Sequence, residues 1–200
     1  MAAPPTSPAL RARYDARRAE VVACAARLFA RKGFHATSVP DLVEATGLKA
    51  GGLYHYIGSK DALLVAICSE LMAPLLVEAE AVAARDAARA DELLRDVVRI
   101  WTAHVEDHRD HMLVFQQERH VIDHGEQWRA ARARRKAFER LVEQVLARAR
   151  DAVPGAPPTD PRLALSALLG MVNHTAQWYR PRGRLDPVTI ADGYVALVLG

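Results

Sequence analysis

The sequence predicts an all-α fold, with a small N-terminal domain of three helices and a larger helical body. Half of the residues are hydrophobic and only 6% are aromatic, which suits helices built on Ala, Leu and Val. No stretch alternates apolar and polar residues with period two for more than a few positions. Apolar residues instead recur at helical spacing, and cap and stop residues punctuate those segments. A chain of 200 residues is long enough to bury a full core in one or two small domains.

Residues 1–12 read as a disordered arm, because "MAAPPTSPAL" is rich in Pro, Ala, Ser and Thr. That start has no basic cluster or long apolar run, so it is not a secretory signal. No apolar segment reaches about 18 residues without a charge, so no membrane span is expected. The two cysteines, Cys24 and Cys68, fall in apolar helical patterns and read as buried free thiols in a reducing cytoplasm.

The first helix is expected from Tyr14 to Arg31. Val21, Val22, Ala25, Leu28 and Phe29 form its inner face, and Lys32-Gly33 stops it. Ser38 is a good N-cap for a short second helix, with Pro40 in its first turn. Val39, Leu42 and Val43 face inward, and Gly47 ends it. After a short turn a third helix carries Leu53 and Tyr54, closing a domain at 13–58. Ser59 then caps a long helix, "KDALLVAICSELMAPLLVEAEAVAA", with Pro74 as a bend. In the remaining domain, 59–200, further helices are expected at 91–106, 109–122 and 126–152. The linker "VPGAPPTDP" (153–161) precedes two last helices, 162–180 and 187–199, that are apolar on more than one side.

A helix, a glycine, a short turn and a second helix within about 20 residues make a helix-turn-helix. In that motif the second helix enters the DNA major groove, and its first residues meet bases and backbone. The stretch "GLKAGGLYHYIGSK" fits this use. Gly51 and Gly52 are poor helix formers, but they let the backbone approach DNA closely. Tyr54, His55 and Tyr56 bring polar-tipped rings to groove depth. Lys60, at the start of the long helix, sits at a natural phosphate position. Charge points the same way. Residues 1–60 hold nine Lys/Arg against four Asp/Glu, whereas the remainder holds 18 against 20. A basic end on a near-neutral body favours a polyanion partner there.

Residues 14–67 resemble the DNA-binding domain of the TetR family of bacterial repressors. Phe29 to Gly33, Thr37-Ser38, Gly47, Gly51, Leu53-Tyr54, Tyr56 and Ser59-Lys60 fall at the family's spacing. The resemblance implies double-stranded operator DNA as partner. It implies phosphate contacts from Thr37, Tyr54 and Lys60, and base contacts near Ala50, Gly52 and His55. Ser38, Lys49, Gly51 and Tyr56 complete the expected DNA face, with Arg11 and Arg13 in the arm. Lys49 stands where the family usually has a capping Ser or Thr, and Gly52 replaces the usual Ala or Ser. A recognition helix of low stability in the absence of DNA is the consequence.

For the body, the resemblance implies a pocket enclosed by helices four to seven and a homodimer built on the last two helices. Pocket residues are then expected among Trp101, His104, His108, Met112, Phe115, Gln116, Arg119, Met171, His174 and Trp178. The dimer interface is expected on Leu165, Leu168, Leu169, Val172, Ile190, Tyr194, Leu197 and Val198. The stretches "AHVEDHRDHMLVFQQERHVI" and "QWYRPRGRLDPVTIADGYVALVLG" are similar to a TetR subgroup that represses lipid and sterol degradation genes and is released by acyl-CoA thioesters. A CoA ligand needs an apolar cavity and cations for its phosphates. Arg129, Arg132, Arg134, Arg135 and Lys136 offer these, unless they form an ordinary solvated helix face. Arg180, Arg182 and Arg184 are a second source. The alternatives are a regulator of an efflux or stress gene answering to an apolar drug-like ligand, and a metal sensor.

His104, His108 and His111 share one helix face, and His120 and His124 follow, with Glu106, Asp107 and Glu118 near in sequence. Their spacing matches no closed zinc motif, so no metal site is assigned. No Gly-rich phosphate loop, nucleophile elbow or Cys-His pattern is present, so no catalytic site or cofactor is expected. The expected mechanism is a dimer with two states. A small effector wedges beside the helix at 59–82, which pivots and moves the two reading heads off their groove spacing.

Overall fold

The computed structural model describes residues 5–85, 89–154 and 159–200, and every regular element among them is helical. Helices α1 (Pro8–Lys32), α2 (Val39–Thr46) and α3 (Ala50–Ile57) pack on one another as the head. Helices α4 (Lys60–Ala83), α5 (Ala90–Asp107), α6 (Arg109–Gln117), α7 (Arg119–Ile122), α8 (Arg129–Ala152), α9 (Pro161–Trp178) and α10 (Pro187–Leu199) make the body.

The head closes around α1, whose Val21, Val22, Ala25, Ala26 and Phe29 are buried with Leu42 of α2 and Leu53 and Ile57 of α3. Full burial of a side chain such as Phe29 contributes about 1.5–3 kcal/mol. Helix α2 starts with a full capping box. The Ser38 hydroxyl accepts from Asp41 N, and the Asp41 carboxylate accepts from Ser38 N at 2.6 Å. Gly47 ends α2 with φ +66°, a left-handed conformation that a residue with a Cβ adopts only at a cost.

Helix α4 is the spine. It begins on Ser59, whose hydroxyl accepts from Ala62 N at 3.0 Å, and it packs against α1, α5, α6 and α8. By length and a mean hydropathy of 1.9 alone it could cross a membrane, but it carries charges such as Glu70 and Glu78. Leu63, Leu64, Ile67, Leu71 and Leu75 are instead buried in the protein interior. Helix α5 lies against α4, α8, α9 and α10. Its Trp101 meets Phe138 of α8 edge to face at 4.9 Å, and its Arg99 grips Asp192 of α10 with two bonds of 2.8 Å.

Two boundaries differ from the sequence reading. Helix α1 begins at Pro8, inside the expected arm. Ser7 and Pro8 are an N-cap and first-turn pair, masked by the surrounding Pro/Ala/Ser composition. Arg11 and Arg13 are therefore helical, and Arg11 pairs with Asp15 at 2.9 Å. The segment expected as one helix over 109–122 breaks at Glu118 into α6 and α7. Of the expected arm, residues 1–4 lie outside the described residues, as do 155–158 of the expected linker.

Candidate nucleic-acid interface and effector cavity

Helix α3 is held from below and open above. Leu53 is fully buried and Ile57 nearly so, while Lys49, Ala50, Gly51, Tyr54 and His55 are exposed and Gly52 and Tyr56 half-buried. Lys49 takes the N-cap position with no side-chain hydrogen bond, so the first N–H groups of α3 have no side-chain cap. A Cβ on Gly51 would meet nothing within 4 Å, and one on Gly52 only Leu48 at 3.9 Å. Neither glycine is demanded by packing within the protomer. Their smallness serves whatever approaches from outside.

Tyr14 of α1 was not foreseen as part of this site. Its ring lies 5.1 Å from Tyr56 and 5.5 Å from His55, and its hydroxyl donates to the His55 carbonyl at 3.3 Å. The aromatic position at the edge of α1 is the only sequence trace of this role. It pins the C-terminal half of α3 and orients the His55 imidazole.

Thr37 and Lys60, expected as phosphate contacts, are both engaged within the protein. Thr37 is 1% exposed, and its hydroxyl donates to Gly33 O at 2.7 Å. The Lys60 ammonium donates to Thr37 O at 2.7 Å and stands 4.5 Å over the Phe34 ring. Both side chains hold the loop between α1 and α2, because that turn leaves carbonyls that the interior cannot otherwise satisfy. Ser38 is likewise spent on the cap, and Lys32 donates to Asp41 at 2.6 Å. The Lys32 and Ser38 hydrogen bonds hold the Asp41 carboxyl well below the usual carboxylate range.

In the body, a small, partly enclosed cavity of about 60 Å³ lies among α4, α5, α6, α7, α8 and α9. Trp101, Met112, Phe115 and Arg119 line it as expected, joined by Met72, Leu75, Phe138, Leu169 and Asn173. One cation of the "RAARARRK" run enters it, Arg135. Its Nη2 bonds Asp123 at 2.8 Å, and its Nε lies 3.6 Å from Glu139. Nε and Nη1 are nonetheless enclosed without a hydrogen bond among the described residues. Arg132 caps the carbonyls of Ile122 and Gly125 instead, and Arg129 and Lys136 are solvated. Against this cavity lies an open groove of about 350 Å³ that shares Phe115, Arg119, Leu169 and Asn173 with it and adds Gln116 and His174.

The other expected pocket residues lie elsewhere. His104 is buried, with Nε2 2.7 Å from Leu71 O. His108 stacks on it at 4.1 Å and faces a separate open cleft of about 1020 Å³ between α4 and Arg18. Burial lowers the affinity of His104 and His111 for a proton, His111 to about 4, and the neighbouring His108 adds to it. Met171 and Trp178 line neither the small cavity nor the groove. The wide cleft is larger, but the small cavity is the more enclosed of the two and is lined by a guanidinium whose Nε and Nη1 make no hydrogen bond among the described residues.

The expected dimer residues also divide. Leu168, Val172, Ile190 and Val198 are buried within the protomer, Leu165, Leu169 and Tyr194 are half-buried, and Leu197 is 73% exposed. The outward face of α9 is Leu163, Ala167, Gly170, His174 and Trp178, and that of α10 is Val188, Gly193, Ala196 and Leu197. A helix apolar on two sides gives no sequence clue to which side packs inward.

Burial raises the Cys68 thiol to about 12, helped by the Glu118 charge, so it is inert. Cys24 is half-buried, with Sγ on Ala45 O.

Comparison with known proteins agrees with this arrangement. Residues 21–67 match the bacterial regulatory proteins of the tetR family, and residues 87–200 match the tetracyclin repressor-like C-terminal domain. The HTH-type transcriptional repressor KstR2 of Rhodococcus jostii is 27% identical over 92% of this chain and 89% of its own. The structure of PfmR, a TetR-family transcriptional regulator from Thermus thermophilus, superposes with a TM-score of 0.76 at 29% identity, over 90% of this chain and 96% of that one. AibR, in complex with isovaleryl coenzyme A and operator DNA, gives a TM-score of 0.75 at 28% identity, over 92% and 98%. With a helix-turn-helix head and a matching regulatory body, this chain belongs to the tetR family of bacterial regulatory proteins and is a transcriptional regulator, not an enzyme.

Proposed function

We propose that the protein is a cytoplasmic homodimeric repressor that grips palindromic operator DNA with its two α3 helices and is released by an acyl-CoA thioester. The observation that carries the ligand class is Arg135, a guanidinium enclosed beside an apolar cavity with two nitrogens that make no hydrogen bond. A buried donor of that kind favours an anionic or strongly accepting group. Arg119 stands where cavity and groove meet. An acyl chain in the cavity with its polar carrier in the groove would satisfy both halves. Asp123 and Glu139 already balance the Arg135 charge, so what the site lacks is an acceptor for Nε and Nη1, which a wholly apolar ligand would not supply. AibR, a structural neighbour, binds isovaleryl coenzyme A, which supports the same reading.

The cavity of about 60 Å³ is far below the roughly 300–1,000 Å³ of a filled ligand site, so ligand must displace its walls. Met72 and Leu75 of α4 are two of those walls, and Pro74 lies between them. Proline removes a helix hydrogen bond at that turn, making it the compliant point of α4. The other end of α4 holds the head through Lys60 and Thr37. A push at Met72 and Leu75 is thereby delivered to the reading head. Differential affinity for the opened state sets how far DNA binding falls.

Fluorescence anisotropy on the DNA upstream of the protein's own gene tests this, with a panel of acyl-CoA thioesters and with free CoA. Release by a thioester, blunted at least tenfold in Arg135→Gln, is the expected result. DNA binding indifferent to every thioester would discard the ligand class and leave the repressor reading intact.

A further inference from the structure

At the break after α6, Glu118 and His120, two positions apart, meet His35 from far earlier in the sequence. His35 lies on the loop after α1, in the head. Glu118 sits at the junction of α6 and α7, and His120 lies on α7. One ligand atom from each falls within 4.8 Å of the others. His35 Nε2 is 3.5 Å from Glu118 Oε2. A tetrahedral ion with bonds of about 2.0–2.2 Å separates its ligands by about 3.3–3.5 Å, so this pair already stands at the required spacing. His120 is exposed and can close the remaining ångström or so by a rotamer change.

Glu118 supplies the independent observation. The residue is 5% exposed, and its Oε2 makes no hydrogen bond among the described residues. A buried carboxylate oxygen without a hydrogen bond is expensive, and a cation is the partner that removes the cost. The row His104–His108–His111 is poorer by comparison. His104 Nε2 is committed to Leu71 O, and His108 Nδ1 to His104 O.

We propose that His35, Glu118 and His120 form a site for a divalent transition metal of the zinc class, with water completing the shell. Two imidazoles and one carboxylate suit such an ion, whereas calcium and magnesium prefer all-oxygen shells. The site ties head to body. His35 packs edge to face on Phe34 at 5.1 Å, and Lys60 covers that same ring. An ion here fixes the loop that Thr37 and Lys60 organise to the α6–α7 junction, and so restrains the motion between head and body.

The test uses full-length protein stripped with a chelator, without DNA or thioester. Zinc is titrated against a chromophoric competitor, and cobalt(II) replaces it for visible spectroscopy. One ion per protomer is expected, with intense d–d bands of a four- or five-coordinate centre. His35→Ala and His120→Ala alter exposed residues, so the fold survives. Each should weaken binding by more than about 100-fold, beyond the 10–100-fold that outer-shell partners cost. His108→Ala should change nothing. Zinc should also slow amide exchange in 33–37 and 118–122 together. No uptake, or uptake undiminished by His35→Ala, overturns the site, and protection confined to one of the two segments overturns the bridge.

Discussion

Head and body handle their polar groups in opposite ways. In the head, the polar side chains that organise the loop between α1 and α2 have partners. The Thr37 hydroxyl is on Gly33 O, the Lys60 ammonium on Thr37 O, and Ser38 and Asp41 cap each other. In the body, Arg135 keeps two enclosed nitrogens and Glu118 one enclosed oxygen without hydrogen bonds. A fully satisfied network rigidifies, while an unsatisfied one stores a demand for a partner. The head is built to hold one shape. The body, among the described residues, keeps enclosed polar atoms that a partner would complete.

The largest expected effect falls on the outer face of the body. Leu197 is 73% exposed on α10 beside exposed Val188, and a homodimer would cover both. Leu197→Glu places two like charges across a two-fold interface. It should convert the dimer to monomer in light scattering and lower operator affinity by at least about 100-fold, with the melting curve of the isolated protomer unchanged. A dimer that tolerates the charge would move the interface off this face.

Next comes a prediction that tests whether the head is as rigid as its bonds suggest. Thr37→Val removes the donor to Gly33 O while keeping the buried volume. Leaving that carbonyl without its partner should cost about 1–3 kcal/mol in denaturant unfolding. If Thr37 served only as a phosphate contact, DNA affinity would fall and stability would not.

The body should also respond to mild acid, through His111. Burial first, then the charge of His108, holds the His111 imidazole down to about 4, against about 6.5 for an unperturbed histidine. The unfolded chain therefore binds the extra proton between pH 6.5 and 4. The stability that rests on neutral His111 is full above pH 6.5 and is lost as pH falls towards 4. Glu70 faces His111 at 3.9 Å, and burial raises its own proton affinity, so it gives only partial relief. The denaturation midpoint should drop from pH 7 to pH 5 in the native protein and much less in His111→Asn. An equal drop in both would assign the acid sensitivity to other groups.

The same contrast explains what could be read in advance. Head elements were legible because local chemistry sets them: Ser38, Gly47 and Ser59 fix three helix ends within a residue or so, and Leu53 fixes the inner face of α3. In the body, the expected start of the last helix at 187 agrees with α10 just as well. The obscure features are tertiary. Leu168 and Val172 look the same as Leu163 and Leu197 in a hydropathy pattern, and only the packing of α5 and α8 decides which are inside. Arg135 could not be singled out from Arg132 and Arg134 without knowing that α8 turns it inward. His35 and Glu118 are 83 positions apart, a separation that no local pattern spans.

The smallest effect is the one that asks most of the head. Gly52 is helical and half-buried, and a Cβ there would touch only Leu48 at 3.9 Å. Alanine is favoured over glycine in a helix interior by about 1 kcal/mol. Helix α3 has eight residues and no side-chain cap, so it has little other local support. Gly52→Ala should therefore slow amide exchange across α3 and raise the stability of the head by up to about 1 kcal/mol. Where α3 approaches DNA at Gly52 as proposed, the added methyl would intrude, so operator affinity should fall modestly even though the free protein is more stable. Opposite signs in the two measurements would assign Gly52 to close approach. A parallel gain in stability and affinity would mean that α3 orders on binding and that alanine lowers the cost of ordering. The glycine would then be a brake on affinity rather than a contact, and the head would share some of the adaptability otherwise seen in the body.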